Sequence, residues 1–445
     1  MSRSFSGREQ TKPVSLTRDP PQNTHLQPSP ILIPPTVNHD PTAHSEALLC
    51  SNPEPIPRED SSTTIQVLLT ADNHLDPSAV QYGPKRFERK RDFQRCFETL
   101  VNFALENRPD LLLVGGDFYD TILPGNPARA FVAEQFKHLC EKDIKILLVS
   151  GHHDTPRSIE QGVSPLTVHA KSGHVIFFHD QTPRSKKLDT SQTTVNVTGL
   201  SLNPTLTSDQ DPLESVQLPH DADVNIFLTH YPVEGFEGYF GQETHIATSS
   251  VPQGYQLFAT GHLHHRQKRT VNGTPVIYPG STERASFQEE NEKKGFVWLE
   301  LDKTGIIHEE FHQTPARPME TLRHHVASEG SLTRQIQDAL EKRADTEKIL
   351  RVLVSGRVTL EQLSTYKRSI LLSYGQDRFF HLEFDEEGLN VLAQEPLESL
   401  PKTTPLQELD RTFRDILEKA KEEEKPLVHE AWKLTSSKLQ EEGVN

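Results

Sequence analysis

Residues 111–120 read LLLVGGDFYD: a short apolar run that stops at two glycines and a carboxylate, Asp117, with a second carboxylate, Asp120, three residues on. Consecutive apolar residues between Pro109 and Gly115 fit a strand buried on both faces, as at the centre of a parallel sheet. The pattern recurs on either side. Residues 65–70 (IQVLLT) lead to Asp72-Asn73-His74, and residues 144–149 (IKILLV) lead to Gly151-His152-His153-Asp154. Between these runs the apolar spacing turns helical. Phe93, Phe97, Leu100, Val101 and Ala104 share one face of a helix expected over about 90–107, and another is expected over about 128–141. Strand alternating with helix predicts parallel βα units.

Further runs at 175–178, 194–198, 226–229 and 256–260 read as strands, and 275–278 and 295–301 as strands of a second sheet. The expected fold class is α/β, two sheets packed face to face with helices outside. Past Pro315 the pattern resets: helix 332–343, strand 349–354, helix 360–372 and strand 379–384 form a small α/β unit. Residues 396–405 read as a linker, and 406–425 and 427–439 as charged helices. The first 62 residues, rich in Pro, Ser and Thr and without periodicity, are expected to be a disordered tail. The divisions are therefore 1–62, 63–312, 313–397 and 398–445.

The chain has 445 residues and a formal charge of -16, so it does not attract nucleic acid as a whole. A polyanionic substrate would need a local feature, such as bound metal or a basic patch. Three cysteines (Cys50, Cys96, Cys140) without CxxC spacing argue against a disulfide framework or a Cys-built zinc site. No apolar run approaches the roughly 20 residues of a membrane span, and the N-terminus lacks a secretory apolar core. The expectation is a soluble, cytoplasmic protein with no membrane association.

Each acidic or histidine motif stands at the carboxyl end of an expected strand, the rim where α/β sheets bind ligands. The motifs are Asp72-x-His74, Gly116-Asp117-x-x-Asp120, Gly151-His152-His153-Asp154, Thr229-His230 and Gly261-His262-x-His264. Two divalent cations need a bridging carboxylate and flanking N/O ligands, and then clamp a phosphate. Asp117 is the natural bridge. Alternate residues of an extended segment lie on one side, so Asp72 with His74, and His262 with His264, can each face one cluster. Mixed His and Asp donors without Cys suit manganese, with iron or zinc also compatible, better than calcium. Taken singly, a strand-end Asp is usually a cap and a lone His a core or surface residue; it is the set, in this order, that points to a metal site.

The order D-x-H, GD-x-x-D, G-x-H-D, H, G-H-x-H resembles the calcineurin-like metallophosphoesterase superfamily. Tyr278-Pro279-Gly280-Ser281-Thr282-Glu283-Arg284, the run 290–297 (ENEKKGFV), and Arg91-Asp92 narrow the likeness to the SbcD-like group of DNA-repair nuclease subunits. It covers 64–310 well and the small α/β unit weakly, where that group carries a capping domain. The resemblance implies a DNA exonuclease or endonuclease, with DNA as substrate, a coiled-coil ATPase partner of SbcC type and a homodimer. It also implies roles: Asp72, His74 and His264 on one metal, Asp117 bridging, His230 and His262 on the second, His153 as the acid for the leaving oxygen, and Asp120 orienting it. The group has Asn where this chain has His152. Either the imidazole replaces the amide as a ligand, or the larger ring leaves the second position weak. Arg334, Arg343, Lys348, Arg351, Arg357, Lys367 and Arg368 are candidate phosphate contacts on the cap, or an ordinary solvated face. Two other functions compete: hydrolysis of a small phosphodiester or phosphoprotein, and a non-catalytic scaffold with a degenerate metal site.

Overall fold

The computed structural model describes residues 63–190, 193–239, 243–327, 329–392 and 404–441. The expected tail, 1–62, and nearly all of the expected linker lie outside them. The chain lays down β1 (Ile65–Thr70), α1 (Arg86–Asn107), β2 (Leu111–Gly115), α2 (Asn126–Cys140), β3 (Lys145–Val149), α3 (Leu166–Lys171) and β4 (Ile176–Phe177). Next come β5 (Arg184–Asp189), β6 (Thr194–Leu200), β7 (Val224–Thr229), β8 (Leu257–Thr260), β9 (Gln267–Val271), β10 (Thr274–Tyr278), β11 (Gly295–Asp302) and β12 (Gly305–Gln313). Then follow β13 (Met319–His325), α4 (Leu332–Glu341), β14 (Asp345–Val358), α5 (Leu360–Ser364), α6 (Arg368–Gly375), β15 (Phe379–Val391), α7 (Pro405–Lys419) and α8 (Lys425–Glu441).

Among the described residues these strands form two six-stranded sheets, β12-β11-β1-β2-β3-β4 and β5-β6-β7-β8-β10-β9, and a three-stranded sheet, β13-β14-β15. The architecture is α/β, two stacked sheets flanked by helices. Strand residues alternate between two burial environments. Val67, Leu69, Leu111, Leu113, Leu147 and Val149 pack against Val195, Val197, Ile226, Leu228, Leu257 and Ala259 between the sheets. Their neighbours Leu68, Leu112, Val114, Ile146 and Leu148 meet Phe93, Phe97 and Leu100 of α1 and Val132 and Phe136 of α2. With both faces covered, the central strands are apolar over most of their length, as over residues 67–69 and 111–114. Each of these side chains larger than alanine contributes roughly 1.5–3 kcal/mol by leaving water.

The expectation that 295–301 joins the second sheet is not met. β11 runs antiparallel to β1, with Trp298 opposite Leu68. Trp298 and Phe296 pack on Phe103 of α1, which holds the strand in the helix-covered sheet. Conversely, β6, β7 and β8 belong to the second sheet with β10. A strand buried on both faces has the same apolar texture in either sheet, so pattern alone did not assign it. The edge strands β5 (RSKKLD) and β9 (QKRTV) are largely exposed and gave no apolar signal.

β13, β14 and β15 pair in parallel, with helices in the crossovers. The single helix expected over 360–372 is two, because Lys367 leaves helical geometry (φ -119°, ψ 82°). A buried ion cluster ties this unit to α1. Arg317 Nε and Nη2 donate to Asp92 at 2.5 and 2.8 Å, and Nη1 reaches Glu347 of β14 at 3.1 Å. The Arg317 guanidinium also lies 3.6 Å from the Phe380 ring centre. α7 and α8 form a hairpin in which Phe413 and Trp432 stack at 6.1 Å.

Candidate metal centre

The carboxyl ends of β1, β2 and β3 in one sheet and of β7 and β8 in the other meet at one rim. Asp72, His74, Asp117 and His262 there all have left-handed backbone, with φ of 50°, 43°, 46° and 81°. Each such non-glycine position costs of order 1–3 kcal/mol and persists only where neighbours enforce it. Cross-strand bonds do so: Asp72 N–H donates to Gly116 O and His74 N–H to Asp117 O, both at 3.0 Å. The His262 N–H donates to Asp72 Oδ1 at 3.0 Å. Gly151 allows close approach, since a Cβ there would fall on Asp117 Oδ1 and the His230 ring.

All seven expected metal donors converge. Asp72, His74 and His264 form one group and His152, His230 and His262 another. Asp117 joins Asp72 with His230, and separately His74 with His153. Within each group the donor atoms lie within 4.8 Å of one another. The far side of nearly every ring is spoken for. His74 Nδ1 faces Asp120 Oδ1 at 3.1 Å, His264 Nδ1 faces Glu289 Oε1 at 3.0 Å, and His262 Nε2 faces Glu243 Oε2 at 3.0 Å. His230 Nδ1 meets the carbonyl of Gly115 at 2.7 Å. A carbonyl only accepts, so Nδ1 carries a hydrogen and Nε2 is the atom turned inward.

This is the pattern of a metal site, in which outer partners fix the tautomer of each ligating ring. The inner atom His152 Nδ1 is buried without a hydrogen-bond partner. Unpaired buried nitrogens are costly unless something unseen satisfies them. The donor set of four imidazoles, two carboxylates and His152 fits divalent cations.

Burial disfavours charge on His230, but Asp117, 3.1 Å away, outweighs it and raises the ring to about 10, so that positive charge is favoured at the spot where a cation would compete with the Nε2 proton. Burial likewise opposes ionisation of Asp117, yet His230 and the other rings hold it well below the usual carboxylate range. Burial and the neighbouring rings of His230 and His262 push His152 down to about 3, which keeps it a neutral donor.

His153 and Asp120 also meet. His153 Nδ1 lies 3.1 Å from the Asp120 carbonyl oxygen and 3.5 Å from its carboxylate. The ring is about half exposed at the rim. Asp120 thus contacts both His153 and His74.

Other residues in the assembly had no assigned role in the sequence. Asp154 is fully buried and accepts from the N–H groups of Gly151 (2.7 Å) and Phe118 (2.9 Å), tying two donor loops together. Glu289 holds His264 and is itself held by buried Lys294 at 2.7 Å. Despite burial, His264 and Lys294 bring Glu289 down to about 2. The ENEKKGFV run offered a signal for Lys294; Glu243 had none. Of the cap cations, Arg334 pairs with Asp338, Arg343 and Lys348 with Glu320, and Arg368 with Glu386, while Arg351 lies over Phe287. Arg357 and Lys367 are exposed.

Residues 65–266 match the family model described as calcineurin-like phosphoesterase. The chain is 26% identical over 256 residues to the DNA double-strand break repair protein Mre11 of Methanopyrus kandleri, covering 54% of this chain and 55% of that protein. It is 25% identical over 244 residues to the protein of that name from Sulfolobus acidocaldarius, covering 53% and 60%. It is 24% identical over 289 residues to the SbcD component of the nuclease SbcCD of Staphylococcus epidermidis, covering 58% and 71%. The chain thus spans little more than half the length of the first two relatives. No helix among the described residues is long and apolar enough to cross a membrane.

Proposed function

We propose, from the premise that residues 65–266 belong to the calcineurin-like phosphoesterase family, that this chain is a metal-dependent phosphodiesterase acting on DNA as a repair nuclease. The convergence of Asp72, His74, Asp117, His152, His230, His262 and His264 carries the proposal. Asp72, His74 and His264 would hold one cation and His152, His230 and His262 the other, with Asp117 between them. Manganese is the first candidate, and iron and zinc suit the same donors. Bound divalent cations supply Lewis-acid polarisation of the phosphoryl oxygens.

The chain's own groups do the remainder. Asp72 and Asp117 are oriented by backbone N–H groups, of His262 and His153 respectively. With its Nδ1 tied to Asp120, His153 offers Nε2 at the rim as the proton donor to the leaving oxygen. A positioned proton donor is worth roughly 10²–10⁴ in rate. Asp120 is a positioning residue, holding His153 and His74 together.

DNA as substrate rests on the likeness to the double-strand break repair protein of Methanopyrus kandleri and the SbcCD nuclease component of Staphylococcus epidermidis. Arg357 and Lys367, exposed on the small unit, are the phosphate contacts proposed here. The α7–α8 hairpin, with Leu427 and Leu434 exposed, would receive a coiled-coil ATPase partner, and a homodimer is part of the same proposal. So are the divisions at 63–312, 313–397 and 398–445, and both exonuclease and endonuclease action.

The test is a manganese-supplemented assay of the full chain on linear duplex and plasmid, with His153→Ala as control. Cleavage is expected, slowed about 100-fold or more in the variant at unchanged metal content. Hydrolysis of an aryl phosphodiester without DNA cleavage would move the substrate to a small phosphodiester or phosphoprotein. No turnover, with less than one ion per chain, would favour the non-catalytic scaffold.

A further inference from the structure

The two halves of the centre differ in chemistry. Asp72, His74 and His264 bring one carboxylate and two imidazoles; His152, His230 and His262 bring three imidazoles. We propose that the three-imidazole position takes a nitrogen-preferring cation of the zinc class, that the other takes manganese or iron, and that His152 sets the difference. This rests on the metal-dependent phosphodiesterase proposed above.

The three rings have no hydrogen-bond solution among themselves. The His230 Nδ1 hydrogen is spent on the Gly115 carbonyl, so Nε2 is the atom turned inward, 3.1 Å from Asp117 Oδ2. The His262 Nε2 faces the Glu243 carboxylate at 3.0 Å, which places its hydrogen there and leaves Nδ1 as the bare nitrogen. The ring of His152 lies 4.8 Å from that of His262 and 5.5 Å from that of His230, tilted against both rather than stacked. Its Nδ1 is buried and unpartnered. His169 Nδ1 is likewise buried without a partner, so what distinguishes His152 is that its ring converges with two others whose donor atoms lie within 4.8 Å of its own. Three converging imidazole nitrogens with an open position are a donor set that zinc favours. Carboxylate-containing sets are relatively better for manganese. Zinc outcompetes manganese at most nitrogen/oxygen sites, so the contrast lies in how much more it does so at one position than at the other.

The experiment is a competition on the full chain. Stripped protein is loaded with manganese and titrated with zinc. Released manganese is followed by electron paramagnetic resonance, and bound metals are counted by elemental analysis. Two one-ion displacement steps are expected, separated by at least about tenfold in zinc concentration, the scale on which ligand surroundings change metal affinity. In His152→Asn the tighter step should weaken until the two merge, with His152→Ala behaving alike and thermal melting of both stripped variants showing that they fold. One unresolved step in the wild type, with two ions bound, would overturn the mixed centre and leave the phosphodiesterase standing. Two steps equally separated in a folded His152→Asn would overturn the role of His152. Fewer than one ion bound per chain would overturn both this inference and the function beneath it.

Discussion

His264 Nδ1 lies 3.0 Å from Glu289 Oε1, and Lys294 holds the other carboxylate oxygen of Glu289 at 2.7 Å. The carboxylate orients a ring whose Nε2 is 3.0 Å from that of His74. Glu289→Gln should therefore weaken manganese binding at that position by about 10–100-fold, while leaving the fold intact. Titration calorimetry of the stripped protein reads this directly. An affinity within twofold of wild type would show that Glu289 does not position His264.

Gly151 sits where any side chain would strike Asp117 and His230. Gly151→Ala should cost about 1–3 kcal/mol by overpacking and lower bound metal well below the wild-type content. A thermal melt and elemental analysis of the purified variant check the two effects separately.

Much of the centre was legible because its donors follow apolar runs, as Asp117 follows LLLVGG and His230 follows the apolar end of β7. Sequence order there mirrors spatial order: strands end at one rim, so residues at strand ends become neighbours. Glu243 and Glu289 do not follow strands. They reach His262 and His264 from segments outside the strands whose paths depend on packing, and their polar neighbours gave no contrast. Sheet membership was legible only in part. Trp298 lies beside Leu68 because of Phe103, a contact nearly 200 residues away in sequence that no local period encodes. The edge strands β5 and β9 lacked an apolar signature because solvent covers them.

The Asp92–Arg317 pair is fully buried and links α1 to the start of the small α/β unit. Arg317→Met should destabilise the protein by about 3–5 kcal/mol, since Asp92 would lose its closest partner away from water. Asp92→Leu combined with Arg317→Met should recover part of that loss. Denaturant unfolding of the single and double variants measures the coupling, and a double variant no better than Arg317→Met would show that the pair is not the source.

His169 is buried against Tyr119 and Phe136, and burial, followed by the nearby His174, lowers it from 6.5 to about 4. The folded protein keeps the ring neutral while the unfolded chain protonates it near 6.5. Stability from this group is complete above 6.5 and is lost as the pH falls from 6.5 towards 4. The full loss is about 3 kcal/mol. His169→Gln should flatten the acid limb of melting temperature against pH by a corresponding amount. An unchanged limb would place the titration elsewhere.

The most direct measurement is phosphodiester hydrolysis by the stripped full chain as manganese is added, with bound ions counted at each point. No hydrolysis in chelator is expected, followed by a rise that reaches its plateau at two ions per chain. Hydrolysis that persists undiminished in chelator, or saturating manganese that leaves less than one ion bound, would contradict a two-metal centre built by these residues.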